Sequence, residues 1–273
     1  MNREYLAEKI VERIVNEKDF CKVQYKNTAS TIGCFFIDDL LPAEIVNEIA
    51  NVFPDKTQMV LKKSLKEDKY VSAQMDKHDA LLEEIIYAFQ DIRVVRLIEE
   101  ICGLKDIFPD DNLYAGGLSL MEKNQFLNPH LDNSHDKERQ RWRVLNLLYY
   151  VTPDWKLEYG GNLELWPEGL SDNPVTIESK FNRLAVMATH NDSLHSVSKV
   201  EVTKNRCCVS NYYFSNDPLK KTDTFHVTSF RGRPNEKVKD IVLQFDNFLR
   251  QSLRKIFKKG IVENPHYYKN KNH

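Results

Sequence analysis

At 273 residues the chain is long enough for one large domain with a substantial core, and its 39 Lys and Arg against 40 Asp and Glu leave it nearly neutral. That balance excludes the basic excess of an obligate nucleic-acid binder, and no apolar run is long enough to cross a bilayer. The charged stretch Met1 to Asn16 lacks the apolar segment of a signal peptide, and five cysteines without CxxC spacing point to reduced thiols in a cytoplasmic protein.

In chain order, Leu6, Ile10 and Ile14 predict an amphipathic helix over residues 2–18, and the β-branched and aromatic run Ile32–Ile37 predicts a strand. Pro42 stands where a first helical residue would, ahead of an apolar face of Ile45, Val46, Ile49, Ala50 and Phe53. Residues 55–77 are polar without a period and read as a loop or lid. One helical region follows from about His78 to Ile101, ended by Gly103. From Asp111 to Ser215 about eight short strand-like runs alternate with turn signals such as Asn-Pro, Pro-Asp and Gly-Gly. Arg139, Arg141 and Arg143 read as a solvated loop edge within that stretch.

Pro234 then opens a helix through Val238, Ile241, Val242, Phe245, Leu249 and Leu253, with Lys258 and Lys259 at its C-terminal end and Gly260 as its stop. The fold class is therefore mainly β with flanking helices (α+β), around a double-stranded β-helix of jelly-roll or cupin-like type. A single domain over 1–273 would comprise a helix-and-strand support over 1–110, the jelly-roll core over 111–215 and a C-terminal loop and helix over 216–273.

His130-Leu131-Asp132, then His195, then Arg206 carry the chemistry. Two imidazoles and one carboxylate can fill one triangular face of an octahedral metal and leave the opposite positions open, the ligand set of non-haem Fe(II) oxygenases. On a strand, alternate side chains share a face, so His130 and Asp132 would point at one metal. Arg206 adds a permanent cation suited to an acidic co-substrate. His190 and His135 compete as ligands. His190 sits in a turn-like context and His135 reads as a surface loop residue, whereas His195 begins an alternating run. Trp142, Trp155 and Trp166 read as packing residues.

These residues resemble those of the 2-oxoglutarate/Fe(II)-dependent dioxygenases, in their prolyl 4-hydroxylase-like branch, over roughly residues 115–215. The likeness rests on the HxDN of His130–Asn133, the stretches Arg143–Trp155 and Gly160–Gly169, His195-Ser-Val, and Arg206–Phe214, all in the family's order. It implies that His130, Asp132 and His195 bind Fe(II). Arg206 would pair its planar guanidinium with the distal carboxylate of 2-oxoglutarate. Tyr150 falls where the family often carries a tyrosine on that carboxylate, and Asn146, four residues earlier on the same strand, lines the same pocket. The implied reaction consumes O2 and 2-oxoglutarate, releases succinate and CO2, and hydroxylates an unactivated C–H bond, with ascorbate as an auxiliary reductant.

Asp132 sets the chain apart from the family's halogenating members, which carry a small residue there; desaturation and epimerisation remain open. The substrate would be a small molecule or a peptidyl residue. The segment Phe225–Pro234 reads first as a loop anchoring the last helix; if it covers the mouth of the roll instead, Arg231 or Arg233 would meet an anionic group. The long C-terminal helix offers a surface for a homodimer. The alternative is a cupin-like metal-binding or sensing protein without turnover, which would have no use for Arg206 and Tyr150. A zinc hydrolase would want HExxH and a general base, which the sequence lacks.

Overall fold

In the computed structural model, which describes residues 1–114, 116–256 and 267–269, the stripe of Leu6, Ile10 and Ile14 continues through Cys21 and Tyr25. Helix α1 accordingly runs over Arg3–Thr28, ten residues past the expected end, with the Asn2 side chain accepting from the Tyr5 amide at its start. Strand β1 (Cys34–Ile37) and helix α2 (Ala43–Asn51, directly after Pro42) follow as expected. Residues 55–77 are not a loop. They hold a hairpin of β2 (Val60–Lys63) and β3 (Glu67–Ser72), whose second strand enters the main sheet. Its charged alternate residues Glu67 and Lys69 hide the apolar period by which a strand is recognised.

The helical region expected from 78 to 101 is two helices, α3 (Ala80–Ala88) and α4 (Ile92–Cys102). Asp91 ends the continuity by accepting from the Arg93 amide as a helix cap, and the Phe89 carbonyl accepts from the Tyr213 hydroxyl. Gly103 terminates α4 at φ 65°, a left-handed conformation natural to glycine.

The strands then come in quick succession: β4 (Ile107–Pro109), β5 (Gly117–Met121), β6 (Phe126–Leu131), β7 (Trp142–Tyr150), β8 (Leu163–Leu165), β9 (Val175–Ile177), β10 (Arg183–Ala188), β11 (His195–Val197), β12 (Arg206–Ser215) and β13 (Ser229–Phe230). Helix α5 (Lys237–Ile256) closes the described elements, and Lys258, Lys259 and Gly260 lie outside the described residues.

The sheet order is β1-β10-β7-β12-β5-β3-β6-β11-β8-β9, with β13 added to β6. The sheet curls into the double-stranded β-helix. One wall, β1-β10-β7-β12-β5, buries Leu145, Leu147 and Tyr149 in the same core as α1, α3 and α4. The opposite faces of those strands turn inward, where Tyr150, Cys208 and Met187 meet Leu163 and Leu165 of the second wall. Strand β3 joins the walls by pairing with both β5 and β6. The segment expected to be a lid is thus part of the roll.

Candidate metal and co-substrate site

His130 lies on β6 and His195 on β11, and the two residues are direct cross-strand partners with ring centroids 4.2 Å apart. Asp132, one residue past β6, shares their face through its i, i+2 spacing from His130. One ligand atom from each of His130, Asp132 and His195 falls within 4.8 Å of the others. Each imidazole is oriented through Nδ1, which donates 2.9 Å to a carbonyl, Asn128 for His130 and Ser193 for His195. Both Nε2 atoms therefore keep free lone pairs and face Asp132, at 3.4 and 3.6 Å from its carboxylate. Phe230 on β13 stacks on His130 at 5.1 Å and 17°, covering one face of that imidazole.

Burial would raise the Asp132 carboxyl, yet the His130 and His195 rings and the Arg143 guanidinium beside it hold it well below the usual carboxylate range. Burial, with His130 beside it, lowers His195 to about 4. An ionised carboxylate beside a neutral imidazole suits a divalent cation.

Asn146 donates from Nδ2 to Asp132 Oδ2 at 2.6 Å, so it supports the carboxylate. Arg143 was expected at a solvated loop edge. It is 3% exposed, 3.5 Å from Asp132 Oδ2 and 4.3 Å from the Tyr212 ring centroid. The cause is a register shift: Tyr213 pairs with Leu145 and Phe214 with Arg143, so Val144 is the extra residue of a bulge. That bulge turns Arg143 onto the face of Asn146, which strict alternation would forbid.

Arg206, the first residue of β12, is buried. Its guanidinium meets only the hydroxyls of Ser179 (3.4 Å) and Ser119 (3.5 Å) and the Tyr150 ring (4.9 Å to the centroid), with no carboxylate among the described residues. Gly161, at φ 65°, leaves it room, since a Cβ there would stand 3.2 Å from Arg206 Cγ. The Tyr150 hydroxyl is buried without a hydrogen-bond partner among the described residues, and burial pushes its phenol up to about 12 against the opposing charge of Arg206, so it stays a neutral donor. Between this end and the His130–Asp132–His195 cluster lies a cavity of about 110 Å³, lined also by Lys69, Ser119, Asn146 and Tyr212.

The competing histidines do not join the cluster. His190 Nδ1 accepts from the Asp192 amide at 3.1 Å. His135, expected at the surface, is 3% exposed: Phe225 meets its ring edge-on at 6.1 Å and is itself stacked on Trp142. Arg231 and Arg233 are occupied elsewhere, by Asp240 at 2.7 Å and Glu164 at 2.9 Å. Sequence reasoning missed Arg143, Phe230, Ser119, Ser179 and Lys69. No local signal marks the first, because its orientation comes from a bulge opposite β12, and the others depend on neighbours distant in the chain.

Residues 116–214 match the family model described as the 2OG-Fe(II) oxygenase superfamily. Among solved structures, the fold is similar to a Pseudomonas putida prolyl-4-hydroxylase (16% identity, 71% of this chain and 98% of that one, TM-score 0.54). It is also similar to a Trichoplax adhaerens prolyl hydroxylase in complex with a hypoxia inducible factor peptide fragment (18%, 74% and 92%, 0.53). A third is a prolyl 4-hydroxylase from Phytophthora capsici (17%, 95% and 81%, 0.53). Over residues 116–214 the chain is similar to the 2OG-Fe(II) oxygenase superfamily, a family whose chemistry uses Fe(II), 2-oxoglutarate and O2.

Proposed function

We propose that the protein is a hydroxylase in which His130, Asp132 and His195 hold Fe(II) and Arg206 anchors the distal carboxylate of 2-oxoglutarate. The observation that carries this reading is a buried guanidinium without a counter-ion among the described residues, across a small cavity from two imidazoles and a carboxylate. A buried cation is costly unless paired, and a dicarboxylate would supply the missing charge at one end while meeting the metal at the other. Bound Fe(II) would supply O2 activation coupled to oxidative decarboxylation of the 2-oxo acid.

The protein's own residues do the rest. Arg206 and the Tyr150 hydroxyl offer donors to one carboxylate. Asn146 and Arg143 hold Asp132 Oδ2, which leaves Oδ1 as the oxygen less engaged by the protein. The enclosing walls keep water from the reacting atoms.

The substrate carbon would belong to a small molecule or a peptidyl residue, the latter in keeping with the named prolyl hydroxylases of similar fold. A cytoplasmic setting is in keeping with five free cysteines, and no helix among the described residues is long and apolar enough to cross a membrane. The test is an anaerobic titration of 2-oxoglutarate into Fe(II)-loaded protein, followed by the visible metal-to-ligand charge-transfer band. A band in the parent and none in His130→Ala is the expected result. A folded, iron-loaded parent without a band would leave a metal-binding protein in place of the oxygenase.

A further inference from the structure

Helix α5 presents its apolar side to solvent. The residues it turns to the domain are Leu243 and Asn247, and its chief neighbour is β13. Asn247 accepts from the Phe230 amide and donates to the Phe230 carbonyl at 3.0 and 2.6 Å. At 100° per residue, Val238, Ile241, Val242, Phe245, Phe248, Leu249 and Leu253 occupy an arc of about 140° on the opposite side. Val238, Ile241, Phe245 and Phe248 are 78%, 68%, 63% and 66% exposed. The apolar period that marks α5 as a helix therefore does not mark a face packed on its own domain.

We propose that α5 is the interface of a homodimer, packed antiparallel against α5 of a second copy about a twofold axis at Phe245. Three observations select this occupant. The first is area: at roughly 150–220 Å² for a fully exposed side chain of this size, the seven residues offer on the order of 700 Å². That exceeds the largest apolar patch of an ordinary monomer and approaches the ~800 Å² per partner of a standard interface.

The second is spacing. Val238, Ile241, Phe245 and Phe248 alternate steps of three and four, the seam of a helix pair. With Phe245 on the axis, Ile241 meets Leu249 of the second copy and Val242 meets Phe248, large against small, while the two helix dipoles oppose.

The third is charge. Lys239, Asp240 and Asp246 are already paired with Glu236, Arg231 and Lys66, at 3.0, 2.7 and 2.6 Å. Arg250 is paired with Asp246, so among the helix's described side chains Lys237 alone is a basic group without a partner, short of the basic cluster by which amphipathic helices bind anionic membranes. Nor does the end of the chain cover the stripe at its described residues: Tyr268 is buried beside Asn112 and Glu83, and the Tyr267 carbonyl accepts from Gln74.

This inference is independent of the enzymatic reading. Light scattering on the full-length protein across micromolar concentrations should give twice the 32.0 kDa chain mass. The exposed-site variant Phe245→Glu/Phe248→Glu should fall to the single-chain mass with an unchanged circular dichroism spectrum. Under mild oxidation Phe245→Cys should cross-link to itself and Val238→Cys should not. A parent that stays monomeric, a dimer that survives the double glutamate variant, or failure of Phe245→Cys to cross-link would each overturn the interface. Monomers that co-sediment with phosphatidylserine vesicles would overturn it in favour of a membrane surface.

Discussion

Replacing Arg206 by Met separates two consequences of one buried charge. The guanidinium is 4% exposed and meets two serine hydroxyls at 3.4–3.5 Å and a ring face, none of which neutralises it. A carboxylate facing its planar fork would accept two charge-assisted hydrogen bonds, each contributing about 1.5–3 kcal/mol. Their loss should weaken 2-oxoglutarate binding by about 3–6 kcal/mol, more than 100-fold in Kd. Arg206→Lys keeps the charge but loses the fork, and should fall between, at about 10- to 100-fold.

Without co-substrate the sign reverses. Met removes an uncompensated buried cation, a change expected to be neutral or to stabilise by about 1–4 kcal/mol, raising Tm by a few degrees. The assay is the anaerobic charge-transfer titration for affinity, with differential scanning calorimetry of the apoprotein beside it. An Arg206→Met protein that binds iron and keeps the parent's 2-oxoglutarate affinity would refute the anchoring role. A large fall in apoprotein Tm would mean that the guanidinium is a structural group.

Asn146→Ala removes the 2.6 Å donor to Asp132 Oδ2 and should lower metal affinity about 10- to 100-fold, measured by chelator competition, with the fold intact. Asp38 is partly buried, which would raise its carboxyl, but hydrogen bonds from Arg183 at 2.5 Å and Lys180 at 2.9 Å bring it below the ordinary value. A depressed carboxylate stabilises above its unfolded pKa of about 3.9 and loses that contribution as pH falls through the folded value. Asp38→Asn should therefore cost about 1–2 kcal/mol in urea unfolding at neutral pH, and the gap from the parent should close in acid. Gly160 sits at φ 69° with the Lys199 carbonyl 1.9 Å from where a Cβ would lie, so Gly160→Ala should destabilise by about 4 kcal/mol or more, read as lost soluble yield or a much lower Tm.

The parts of this protein legible in its sequence are those fixed over a few residues. The i, i+2 spacing of His130 and Asp132 puts both on one face of a strand, the short β-rich runs define the jelly roll, and Gly103 ends a helix through its own backbone freedom. What the sequence left undecided depends on pairing between distant segments. The 55–77 stretch is a strand because β5 and β6 lie on either side of it, and its charged face hides the period. Arg143 faces the site because of an extra residue opposite β12, and a bulge is a property of two strands.

The α5 stripe was legible as a helix but not as an outward one. Periodicity fixes which residues share a face; only packing against β13 decides which way that face turns. Likewise His195 follows Asp132 by more than sixty residues, and only the β6–β11 ladder sets it directly across from His130. Local backbone preference determines elements and shared faces, whereas register and orientation are decided by the burial that the whole chain achieves at once.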